Sequence, residues 1–121
     1  MNPETGPATT RTTLLGGRVV CEQPAAGFRV AIDAVLLAAA VPAAAGQRAL
    51  ELGSGSGAAA LCLAARVPGV AVLGLELQAN LALLATRNTA LSGLADRVAF
   101  VAGDELDPPA PIAAPTVDHV F

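Results

Sequence analysis

The residues of this chain whose types and spacing allow chemistry are three glycines and a few acids. Gly53, Gly55 and Gly57 recur on alternate positions with Ser54 and Ser56 between them, and Glu51 stands two residues ahead. Glu76 closes a later apolar run, and Asp104-Glu105 closes another. No nucleophile stands beside a base in this set, so its chemistry is that of holding a ligand. Glycine adopts backbone angles closed to other residues and lets main chain touch a ligand directly. A glycine turn that opens a helix presents free N–H groups at the positive helix end. Carboxylates accept from hydroxyl and amino groups and attract cations.

The elements that position these residues follow from pattern. Ala49, Leu50 and Leu52 read as a strand running into the glycines, and Ala58 to Val67 as a helix apolar nearly all round, to be buried on more than one side. Val70 to Leu75 reads as a second strand closed by Glu76, and Leu77 to Ser92 as a helix striped by Leu77, Leu81, Leu84 and Leu91. Asn88 falls on that stripe, and Gly93 suits the stop. Val98 to Ala102 is a third strand, a proline-rich loop follows, and Thr116 to Phe121 reads as a fourth. Strand–helix alternation implies an α/β fold with a parallel sheet, whose ligands sit beyond the carboxyl ends of the strands. Glu51 to Gly57, Glu76 and Asp104 all fall there, so one crevice is expected to receive all three.

Upstream, residues 1–13 read as a disordered lead-in rich in Thr, Pro and Gly, with one domain over 14–121. Val19-Val20-Cys21 and Phe28-Arg29-Val30 read as a hairpin around Gln23 to Gly27. Asp33 is expected to cap a helix from Ala34 to Val41 that Pro42 stops.

Composition bounds the partners. The chain is 54% hydrophobic but 2% aromatic, so its core must be built from Ala, Val and Leu, and modest stability is expected. The net charge is −3 and all seven basic residues are arginine without a run, which gives nucleic-acid binding no support from composition. Cys21 and Cys62 fit no metal or CxxC spacing and read as buried thiols in a reduced compartment. No metal site is expected. The apolar run from Ala34 to Ala45 is too short to span a bilayer, and no signal core is evident, so no membrane association and a cytoplasmic location are expected.

Gly53-x-Gly55-x-x-Ala58 satisfies a dinucleotide fingerprint, while a P-loop lacks its lysine. Glu51, however, puts a carboxylate where a pyrophosphate site has an apolar residue and suits a ligand amino group. Glu76 fits ribose hydroxyls in either ligand. Asp104 suits an adenine amino group, with Leu77 and Val101 flanking the ring. S-adenosyl-L-methionine offers an ammonium, a ribose and an adenine. An NAD(P)-dependent oxidoreductase remains the alternative.

Glu51-Leu-Gly-Ser-Gly-Ser-Gly57, Glu76 and Asp104 resemble the first three cofactor motifs of class I S-adenosylmethionine-dependent methyltransferases. Leu15 to Val19, Gln23-Pro24, Gly27-Phe28-Arg29 and Ile32 to Ala38 resemble the opening segment of the small-domain methyltransferases, closest to bacterial enzymes that methylate N6 of adenine in valine tRNA. The resemblance covers roughly Thr12 to Phe121. It implies an incomplete Rossmann-like sheet of about four parallel strands with flanking helices, preceded by a short hairpin and helix. It implies that Glu51, Gly53 and Gly57 hold the methionine part, Glu76 the ribose and Asp104 the adenine, with Ser54, Gly55, Leu77 and Glu105 also among the cofactor-binding residues. Gln23, Phe28 and Asp33 would wall the near side. tRNA is the implied partner.

In that family an Asn-Pro-Pro-Tyr motif follows the strand that here reads Val117 to Phe121 and positions the target amine. The chain is expected to hold the cofactor half without the acceptor half, and no catalytic residue is assigned. A catalytically inactive, cofactor-binding remnant is the first alternative, ahead of the oxidoreductase. His119 beside Asp118 reads as structural. The open edge of the last strand is expected to favour self-association.

Overall fold

The structure, a computed structural model, describes residues 8–27, 30–113 and 117–121. It opens with a hairpin. β1 (Thr9–Leu14) pairs antiparallel with β2 (Val19–Pro24), from Thr9 opposite Pro24 to Leu14 opposite Val19. The turn between them, Leu15–Gly17, carries positive φ at all three residues (52°, 65° and 90°), so its two glycines serve the conformation directly. This corrects two expectations. The stretch up to Thr13 is not all lead-in, because a strand begins at Thr9. The hairpin partner of Val19–Cys21 is the preceding threonine segment rather than Phe28–Val30. Threonine is β-branched and favours a pleated edge. The expected lead-in before Ala8, and Phe28 and Arg29, lie outside the described residues.

α1 (Ile32–Ala40) follows. Asp33 lies inside its first turn, and Ala31 occupies the cap position without a side-chain bond, which corrects the expected cap. An acid there still complements the helix dipole. β3 (Arg48–Leu52), α2 (Ala58–Arg66), β4 (Ala71–Glu76), α3 (Ala79–Leu91) and β5 (Val98–Ala102) then alternate as expected. The proline-rich segment contains a short helix, α4 (Ala110–Ala113), and β6 is only His119–Val120. The sheet is ordered β5-β4-β3-β6, every pair parallel, with β6 at one edge.

The core lies around α2, whose residues Ala58 to Ala65 are all buried. A helix this apolar is stable only with cover on several sides, and sheet, α1 and β2 supply it. Cys21 and Cys62 are free and buried within that packing. Phe100 fills the gap between sheet and α2. A Cβ on Gly74 would stand 2.4 Å from its ring and one on Gly57 2.8 Å, so both glycines make room for the aromatic. Three arginines fasten the far ends of the helices. Arg66 donates to the carbonyls of Ala38 and Val41, Arg97 to those of Ala64, Val67 and Val70, and Arg18 to that of Ala65.

Candidate functional site

β3 delivers Glu51 to the carboxyl end of the sheet. Its side chain is 5% exposed, and its Oε1 has no hydrogen-bond partner. Burial pushes its carboxyl up to about 8, against a hydrogen bond from the Ala60 N–H and with help from the charge of Glu76. Ser54, 6% exposed, likewise has a buried Oγ without a partner. A buried polar atom left unpaired costs about 1–3 kcal/mol, so each of these two atoms calls for a partner from outside the chain.

Both residues line a cavity of about 520 Å³, within the range of small-molecule sites. Gly53 and Gly55 share that wall with positive φ and open space where a Cβ would be. α1 contributes Asp33, and the start of α3 contributes Gln78 and Asn80. Among the described residues the lining holds two carboxyl groups and no basic side chain, which suits a cationic group. Gln78 and Asn80 went unremarked in the sequence. The available signal was their position two and four residues past the strand-end Glu76.

Gly57 lies on neither this wall nor the next; it is buried against Phe100 and Ala85. Gln23 is 3% exposed and is not in this cavity's lining, but its Oε1 accepts from the Val30 N–H at 2.6 Å and so holds a residue that is. Phe28, expected on the same wall, lies outside the described residues.

The carboxylates do not share one hollow. Glu76, Leu77, Asp104 and Glu105 line a neighbouring hollow of about 220 Å³, and Gly53 is common to both. Within it Glu76 is already engaged. Its Oε1 accepts from the Gly55 N–H and its Oε2 from the Gln78 N–H, each at 2.8 Å. Asp104 is exposed and accepts from the Leu106 N–H at 2.9 Å, closing its own turn. Val101 packs against the small core of Leu50, Leu75 and Ile112. Four N–H groups of the glycine turn are spent internally, which corrects the expectation of free donors at those positions. Those of Gly53 and Ser54 go to the Leu75 carbonyl, that of Gly55 to Glu76 and that of Gly57 to the Ser54 carbonyl.

Away from the crevice, the His119 ring nitrogen meets Gln47 Oε1 at 2.9 Å, and Asp118 accepts from the Arg48 N–H, so the two fasten β6 to the start of β3. Among the described residues no cluster of His, Cys, Asp and Glu could hold a metal, and no helix is long and apolar enough to cross a membrane.

The family model for protein-L-isoaspartate(D-aspartate) O-methyltransferase (PCMT) matches residues 26–114. The chain is 41% identical over 90 residues to a tRNA1(Val) (adenine(37)-N6)-methyltransferase of Porphyromonas gingivalis, over 71% of this chain and 35% of that protein. It thus spans about a third of the length of the curated relatives it matches. Among solved structures it is similar to a protein-L-isoaspartate O-methyltransferase (TM-score 0.59, 28% identity, 71% of this chain and 26% of the other). It is also similar to an RNA methyltransferase from Salinibacter ruber in complex with S-adenosyl-L-homocysteine (TM-score 0.59, 26% identity, 67% of this chain and 53% of the other).

Proposed function

The chain belongs to the protein-L-isoaspartate(D-aspartate) O-methyltransferase (PCMT) family, among the class I S-adenosylmethionine-dependent methyltransferases, and from that membership we propose that its strand-end crevice holds S-adenosyl-L-methionine. The observation that carries the proposal is that two residues of the larger cavity's lining, Glu51 and Ser54, each hold a buried polar atom without a partner, Oε1 and Oγ.

Glu51 and Ser54 take the ligand's ammonium, which supplies the donors both atoms lack. Gly53 and Gly55 admit the ligand's chain against the backbone because no Cβ stands there. A carboxylate has about four lone-pair positions, so Glu76 retains acceptors for ribose hydroxyls beside its bonds to Gly55 and Gln78. Leu77, Asp104 and Glu105 then flank the adenine in the smaller hollow. Bound there, S-adenosyl-L-methionine supplies a sulfonium methyl group for transfer. The complex of the Salinibacter ruber relative with S-adenosyl-L-homocysteine supports this choice of ligand. Calorimetric titration with S-adenosyl-L-homocysteine tests it; heat from NAD and none from the homocysteine analogue would favour an oxidoreductase.

For the methyl acceptor we propose the N6 amine of a tRNA adenine, on the strength of the Porphyromonas gingivalis relative. Transfer of labelled methyl to tRNA, with N6-methyladenosine recovered from the digest, is the expected outcome. The family match favours a second reading, an isoaspartyl carboxylate in a peptide. Label appearing as a base-labile ester on an isoaspartyl peptide, with none on tRNA, would select it. Self-association through the outer edge of β6 belongs to the same proposal; a monomer by light scattering at high concentration would refute it.

A further inference from the structure

Asn88 interrupts the apolar stripe of α3 and is fully buried. Its Nδ2 donates to the carbonyls of Glu22 (2.8 Å) and Ser56 (2.9 Å), and its Oδ1 accepts from the Glu22 N–H at 2.8 Å. The side-chain amide therefore pairs with both backbone groups of Glu22 as a neighbouring strand would. Ser92 repeats the arrangement one turn later, accepting from the Val20 N–H at 2.9 Å and donating to the Val20 carbonyl at 3.2 Å. The spacing explains the match. Four helical residues rise about 6 Å and two strand residues about 6.7 Å, so alternate residues of the free edge of β2 meet successive turns of α3.

The two contacts differ in one respect. Ser92 reaches only the hairpin, whereas Asn88 also holds the carbonyl of Ser56, in the middle of the glycine turn. Ser56 lines the larger cavity, and the chain past the hairpin contributes Pro24, Ala26, Gly27 and Val30 to the same lining. We propose that Asn88 is a positioning residue that ties the docked hairpin to the glycine turn, fixing these two parts of the cavity lining relative to each other before a ligand enters. Its significance for cofactor binding rests on the assignment of that cavity above; the tie itself does not.

The test uses the whole chain with Asn88→Ala and, as control, Ser92→Ala, each at a temperature where circular dichroism finds the variant fully folded. Asn88→Ser is a milder second variant should the alanine not fold. Amide exchange without ligand is expected to accelerate at residues 53–58 in the Asn88 variants and to stay at the wild-type rate there in Ser92→Ala. Affinity for S-adenosyl-L-homocysteine is expected to fall about tenfold in the Asn88 variants, the order for one lost preorganising hydrogen bond, and less than about twofold in Ser92→Ala. Unchanged exchange at residues 53–58 in the Asn88 variants, or equal effects from both positions, overturns the proposal. If the wild type binds no S-adenosyl-L-homocysteine, the cofactor assignment fails while the exchange comparison still decides the role of Asn88.

Discussion

The two hollows at the carboxyl end of the sheet hold similar residues in opposite conditions. In the larger one, Glu51 and Ser54 are buried with acceptor atoms that no protein donor meets. In the smaller one, Glu76 accepts two backbone N–H groups and Asp104 closes its own turn. An acid at a strand tip is thus no single kind of group. One is held ready at the cost of an unpaired atom, another braces the loop on which the first depends, and a third fastens a surface turn.

That difference orders the effects of substitution. Glu76→Ala strikes hardest, because it orphans the N–H groups of Gly55 and Gln78 together. A loss of about 2–4 kcal/mol in urea unfolding is expected, with weaker ligand binding as a consequence. A loss under about 0.5 kcal/mol would mean that Glu76 braces nothing.

Glu51→Gln is expected to do the reverse, lowering affinity for S-adenosyl-L-homocysteine about 10–100-fold through loss of a charge-assisted bond without lowering stability. It should also change the pH dependence of the ligand-free chain. The folded carboxyl titrates near 8 against an ordinary value of 4.5. Between those values the native state keeps a proton that the unfolded chain has released, so stability falls as pH rises through the window and levels off above about 8. Melting followed from pH 5 to 8.5 should show that decline in the wild type and a flatter profile in Glu51→Gln. Equal slopes would place the titration elsewhere.

Asp104→Ala is expected to have the smallest effect, under about 0.5 kcal/mol on unfolding, as for an exposed turn acid. On affinity, a loss below about threefold would leave Asp104 a turn residue, and a loss above about tenfold would make it a direct partner of the adenine.

The sequence revealed the parallel sheet because its elements carry local signals. The strand before Gly53 is apolar, α2 opens on the third glycine, and β5 occupies the expected span, Val98–Ala102. The hairpin was misread because Thr9 to Thr13 has no apolar face of its own; its partner β2 supplies the buried residues. Glu51, Gly53, Ser54 and Gly55 were legible as wall residues from one motif. The engagement of Glu76 was not, since its partner Gly55 lies 21 residues away and meets it only once β3 and β4 are in register. Asn88 was visible as a polar residue on an apolar stripe, but the strand edge and the carbonyl that it binds come from two other segments. Satisfaction of a polar group is a property of the assembled fold, and pattern alone carries no record of it.

The most direct test is a binding cycle, measured by calorimetry, between S-adenosyl-L-homocysteine and its analogue lacking the α-amino group, against the wild type and Glu51→Gln. If Glu51 receives the ammonium, deleting the amine costs the wild type about tenfold or more and costs Glu51→Gln almost nothing, since the coupling partner is gone. Equal losses in both proteins would contradict the account and leave the unpartnered Oε1 of Glu51 without a ligand to explain it.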